Sequence, residues 1–148
     1  MTVYADTSVF VSLYLLDAHS EEAQQQMALH PRVWLTPLHR AEWTHAIAQH
    51  VFQQKITARE AQVVYRDFER DREAGLWMET GLPEQTFEAC IALARNRVAR
   101  LGVRTLDTLH VALALELKAD HFWTFDRRQA KLAEAEGLKR PLKLNGSS

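Results

Sequence analysis

Short apolar runs alternate with longer helical periods along the chain. "TVYAD" (2–6), "RVWLT" (32–36), "LWMET" (76–80) and "HFWTF" (121–125) are brief, rich in β-branched and aromatic residues, and bounded by polar turns. They predict four strands, and "PLKL" (141–144) predicts a fifth. Between them the spacing predicts helices from Thr7 to Leu16 and over 20–30, 37–54, 57–74, 83–100, 104–119 and 127–136. Start and stop signals agree with these bounds. Ser20 stands as an N-cap before two acids, Pro37 opens its helix, Thr57 and Glu60 form a capping box, and Gly102 and Gly137 end theirs. The segment 104–119 is the most apolar of the helices.

Strands alternating with helices predict an α/β fold of three layers, with a mainly parallel sheet between helices. No repeat, low-complexity tract or linker-like break interrupts the 148 residues, so one domain is expected over 1–144, followed by a loose "NGSS" tail at 145–148. Hydrophobic residues at 47% and charged residues at 25% are the balance of a soluble globular chain. Five glycines and four prolines are too few for a disordered or loop-dominated one.

The single cysteine, Cys90, rules out an internal disulfide and a thiolate zinc cluster, and reads as a small apolar residue on a buried helix face. No apolar run is long enough to span a bilayer, and the start has no secretory-type pattern, so a cytoplasmic protein away from membranes is expected. A net charge of −1 does not advertise nucleic acid as a partner. Locally the picture changes: "ARNRVARLGVR" places Arg95, Arg97, Arg100 and Arg104 in one short segment.

Four acids stand out by position. Asp6 and Asp126 each follow a predicted strand and precede a predicted helix, at the strand end where α/β sheets bind ligands. Glu42 shares a helix face with Leu38, Ala41, His45 and Phe52, and Asp107 lies near the start of the most apolar helix. Each has a plain structural reading. Asp6 and Asp126 could cap their helices, Asp107 could serve its helix's first turn, and Glu42 could reach solvent or pair with Arg40 or His45. His110, three residues after Asp107, reads as a satisfied helix histidine, and Thr7 and Ser8 as first-turn residues able to orient a metal-bound water. Four carboxylates converging at one sheet end would suit Mg²⁺ or Mn²⁺, hard ions that take oxygen ligands.

The segments "YADTSVFVSLYL", "LHRAEWTHAIA" and "RTLDTLHVALALELKADHFWTFDRRQAKLAE", in that order, resemble the PIN-domain family, and more narrowly the VapC-type toxins of toxin–antitoxin pairs. The resemblance runs from Val3 to about Leu138. It implies that Asp6, Glu42, Asp107 and Asp126 are the catalytic metal-site acids, with Thr7 or Ser8 supporting them. Where some members carry another acid after the last aspartate, Gln129, Ala130 and Lys131 stand here, which implies the four-acid form. It also implies a Mg²⁺- or Mn²⁺-dependent ribonuclease, a homodimer, and an antitoxin partner.

In such a site Asp6 and Asp126 would be direct ligands, Asp107 would share an ion, and Glu42 would act through a water. Arg127, Arg128 and Arg104, with the rest of the arginine cluster, would meet substrate phosphates. The substrate would be single-stranded or looped RNA, whose unstacked bases side chains can read. Trp34, Trp43 and Phe52 are a heavy aromatic load, with room on helices 37–54 and 57–74 for an apolar face that a second copy or an antitoxin segment could cover.

Rival acid-at-strand-end enzymes fit less well. A dehalogenase-type phosphatase needs an aspartate where Ser8 stands, and a receiver domain needs an acid pair after its first strand and a phosphorylatable aspartate after its third. The remaining alternatives are a PIN-like module that binds RNA or protein without cutting, and an RNA-processing PIN nuclease without an antitoxin.

Overall fold

The computed structural model describes residues 1–141. Four parallel strands, β1 (Thr2–Ala5), β2 (Arg32–Leu35), β3 (Met78–Glu79) and β4 (His121–Trp123), form a sheet in the order β3-β2-β1-β4. The helices are α1 (Thr7–Tyr14), α2 (Ser20–Met27), α3 (Pro37–Phe52), α4 (Ala58–Glu73), α5 (Thr86–Leu93), α6 (Ala99–Leu101), α7 (Thr105–Glu116) and α8 (Arg127–Ala135). This is the expected helical α/β architecture around a parallel sheet.

β1 shows why three layers form. Side chains alternate across a strand, so Val3 and Ala5 join one core with Val9, Phe10, Trp43, Ile47 and Phe68 from α1, α3 and α4. Tyr4 points into the other, with Leu109, Leu113, Phe122 and Leu132 from α7, β4 and α8. A strand buried on both faces needs an unbroken apolar run, which "VYA" provides behind the partly exposed Thr2.

The chain steps from β1 outward to β2 and β3, then crosses back through α5–α7 to place β4 on the other side of β1. The order therefore reverses between β1 and β4, the point where such sheets open a crevice beyond their carboxyl ends. The register sets Ala5 opposite Trp123, and the Asp6 N–H donates to the Trp123 carbonyl at 2.9 Å. The two strands end level.

Several boundaries differ from the sequence reading. α2 begins at Ser20, with His19 before it, and the Ser20 hydroxyl donates to the Leu15 carbonyl at 2.9 Å instead of capping. The helix expected over 83–100 starts at Thr86 and is broken by a π turn, Ala94–Val98, before Gly102 ends α6 at φ 65°. β4 stops at Trp123 because the Thr124 hydroxyl accepts the Asp126 N–H at 3.0 Å and turns the chain early.

Trp43 lies inside the core, stacked on Phe68 at 4.2 Å, so it supplies no exposed apolar face, whereas Phe52 is 82% exposed. Cys90 is buried, as expected. Lys139 bridges to His121 on the outer edge of β4. Most of the predicted 141–144 strand, and the 145–148 tail, lie outside the described residues. Among the described residues no helix is long and apolar enough to cross a membrane.

Candidate active site

Each of the four acids is delivered by a different local device. Asp6 follows β1, and its side chain does not cap α1; its Oδ2 accepts from the Ser8 hydroxyl at 2.8 Å. Asp126 does cap α8, since its Oδ1 accepts the Gln129 N–H at 3.0 Å. The cap reading therefore holds for Asp126 and fails for Asp6.

Glu42 rides on α3, which springs from the end of β2 behind Pro37 and a capping box made by Thr36 and His39. Its partners are neither Arg40 nor His45: Oε1 accepts from His110 Nε2 at 2.5 Å and from the Thr7 hydroxyl at 2.9 Å. Asp107 occupies the first turn of α7, where its Oδ2 accepts from Arg104 Nε at 3.3 Å.

All four line one cleft of about 530 Å³ at the switch point, together with Thr7, Ser8 and Arg104. Every acid spends one oxygen on a protein donor: Asp6 Oδ2, Glu42 Oε1, Asp107 Oδ2 and Asp126 Oδ1. The second oxygen of each takes no hydrogen bond from the described residues. The charges feel one another. Burial raises the Asp107 pKa first, Asp6 raises it further, Arg104 opposes, and Asp126 adds a smaller push upward. Glu42 moves the other way: burial would raise it, but the hydrogen bonds from His110 and Thr7 prevail and hold it below its ordinary value.

Among the described residues no three His, Cys, Asp or Glu side chains are gathered closely enough to grip an ion outright. The donor set nevertheless fits a hard divalent cation. It is all oxygen, it surrounds one cleft, each acid keeps a spare oxygen, and the like-charge strain on Asp107 is what a cation between the acids would relieve.

Next to this cleft lies a hollow of about 450 Å³ lined by Gly102, Val103, Arg104, Asp107, Asp126, Arg127 and Arg128. The structure thus brings Arg104, Arg127 and Arg128 beside the acids. Arg97 is drawn away instead, to Glu136 at 3.2 Å and the Ala135 carbonyl at the end of α8. Arg95 and Arg100 line neither recess.

With this geometry in hand, the match to a family model is decisive: the PIN-domain model covers residues 3–135. The chain belongs to the PIN-domain family. Two solved structures share the PIN fold at low identity. VapC20 of Mycobacterium tuberculosis, a sarcin-ricin-loop-cleaving toxin, is 16% identical, with 93% of this chain and 96% of that one covered at a TM-score of 0.68. FitAcB from Neisseria gonorrhoeae is 15% identical, with 90% and 94% covered at a TM-score of 0.70. No functionally curated protein matches the sequence.

Other residues of this PIN cleft carried no advance signal of a role in it. Asp17 also lines it, but Ser12 and the His19 N–H, each at 2.8 Å, occupy its oxygens, so it organises the α1–α2 turn. His19 stacks on Phe125 at 4.1 Å on the same wall. The "DAHS" turn chemistry was visible; the partner ring, more than a hundred residues away, was not.

Proposed function

We propose that this PIN-domain protein is a metal-dependent endoribonuclease that hydrolyses RNA phosphodiester bonds and serves as the toxin of a toxin–antitoxin pair. The observation that carries the reading is the single cleft in which Asp6, Glu42, Asp107 and Asp126 each keep one carboxylate oxygen that takes no hydrogen bond from the described residues, Asp6 Oδ1 lying 3.8 Å from His110 Nε2. Asp6 and Asp126 would hold Mg²⁺ or Mn²⁺ directly, Asp107 would share it, and Glu42 would reach it through a water. When bound, such an ion supplies an activated water at neutral pH and relief of charge on the leaving oxygen.

The remaining work falls to the protein. Thr7 and Ser8 fix two of the acids, by 2.9 Å and 2.8 Å hydrogen bonds. Arg127 and Arg128 flank the acids and would attract the substrate backbone, which an uncompensated acidic cleft repels. Arg104, paired with Asp107 and largely exposed, would be placed to meet a substrate phosphate.

The open cleft suits an unpaired or looped strand, and the loop-cleaving activity of the similar VapC20 supports that choice. A cytoplasmic homodimer silenced by an antitoxin segment belongs to the same reading. Against the binding-module alternative stands the complete set of four acids.

Purified protein should cut RNA with Mg²⁺ or Mn²⁺ and stop on addition of EDTA. Cleavage that persists in EDTA, with Asp6→Asn and Asp107→Asn still active, overturns the proposal.

A further inference from the structure

Glu42 is the one long, flexible acid of the four, and it is the one with a buried tether. Its carboxylate is 26% exposed, while the His110 ring that contacts it is 1% exposed beneath the cleft. A carboxylate offers only acceptors, so the hydrogen between His110 Nε2 and Glu42 Oε1, 2.5 Å apart, belongs to the ring. On the far side of the ring, His110 Nδ1 meets the Tyr4 hydroxyl at 2.7 Å. Thr7 closes the arrangement, with its Oγ1 2.9 Å from the same Glu42 oxygen and 3.3 Å from His110 Nε2.

Tyr4 is itself enclosed by the core. It is fully buried, stacked in parallel on Phe122 with ring centres 5.7 Å apart, and packed against His39. His39 Nε2 donates to the Ala5 carbonyl at 2.7 Å, and its Nδ1 accepts the Thr36 N–H at 3.0 Å. That second ring ties the end of β1, where Asp6 begins, to the start of α3, which carries Glu42.

We propose that His110, oriented by the Tyr4 hydroxyl, is a positioning residue that pins one oxygen of Glu42 and so presents the other, through a water, to the divalent ion. The inference rests on the nuclease reading above. A glutamate on a helix surface samples many rotamers and loses freedom to be held in one. Two donors on Oε1, both supplied from rigid elements, remove that freedom before any ion arrives, as the outer partners of metal ligands do elsewhere. The three aspartates are shorter, and a local hydroxyl, backbone N–H or arginine suffices for them. A histidine that merely filled the core would need no link to the cleft.

The test is a cycle of variants read by Mn²⁺ affinity, measured from the free-ion electron paramagnetic signal. His110→Phe removes the donor. Tyr4→Phe keeps the shape and removes only the hydroxyl that orients the ring, so it carries the test if His110→Phe does not fold. Each is made in the wild type and in Glu42→Gln.

His110→Phe should weaken Mn²⁺ binding about tenfold, with Tyr4→Phe causing a smaller loss. Neither should weaken it further in Glu42→Gln, because a residue that acts through Glu42 has nothing left to position. Unchanged affinity in the wild-type background, or equal losses in both backgrounds, overturns the inference and leaves His110 a core residue. A wild type that binds no Mn²⁺ overturns the nuclease reading itself and this inference with it.

Discussion

At Asp107 and Glu42 the same cleft produces opposite electrostatics, and each sign can be tested. The Asp107 carboxyl is raised by burial and by Asp6, against Arg104, with a further contribution from Asp126. The native state therefore holds its proton more readily than the unfolded chain. The favourable contribution is complete below its ordinary 3.8 and is lost as pH rises through the raised value. At pH 7 the charged group is a net cost. Asp107→Asn should stabilise the metal-free protein by about 1 kcal/mol, the scale of one like-charge contact partly open to water, and the gain should vanish below pH 3.8.

Glu42 is lowered, so its contribution is present above its ordinary 4.5 and is lost as pH falls through the lowered value. Glu42→Gln should destabilise the metal-free protein at pH 7. Melting curves in EDTA at several pH values check both signs, and matching signs for the two variants contradict the charge assignment. The four acids were legible in the sequence because each stood at a strand end or in surroundings too apolar for an ordinary surface charge. Their partners were not. His110 lies 68 residues from Glu42, and no local pattern records a contact of that separation.

Among the elements, α8 is docked by a buried polar strut beside the apolar Leu132 and Ala133. Gln129 is fully buried; its Oε1 accepts from the Thr124 hydroxyl at 2.6 Å, and its Nε2 donates to the Asp107 carbonyl at 3.1 Å. Residue 129 lies where some PIN domains place another acid, and here it is a strut between the β4–α8 turn and α7. Gln129→Glu would keep the acceptor, lose the donor to Asp107 and bury a charge near Asp126. A loss of about 3 kcal/mol is expected, read from the urea midpoint. No loss would show that the strut carries no load.

Element types were readable from periodicity. Their ends were set by side-chain hydrogen bonds that periodicity does not encode, such as the Thr124 hydroxyl that stops β4 and the Ser20 hydroxyl that turns back to Leu15.

For the whole molecule, the arrangement that matters is the strand order. Asp6 and Asp126 lie 120 positions apart in the chain and become neighbours because β4 returns to pair with β1. The sequence placed both acids at strand ends but held no statement of which strands adjoin, since that depends on the α5–α7 crossover. Assembly follows a separate logic. Phe52, 82% exposed at the end of α3, leaves apolar surface for a second copy, and light scattering at tens of micromolar concentration should report a dimer. A monomer would remove the dimer and leave the nuclease untouched.

On the proposed reading, four acids from four parts of the chain form one divalent-ion site. Calorimetric titration of Mn²⁺ into metal-free wild type, Asp6→Asn, Glu42→Gln, Asp107→Asn and Asp126→Asn tests it most directly. Wild type should bind, and all four variants should bind more weakly, including Asp126→Asn, whose helix cap survives because asparagine caps about as well as aspartate. Absence of binding by the wild type, or equal affinity in all five proteins, would contradict it.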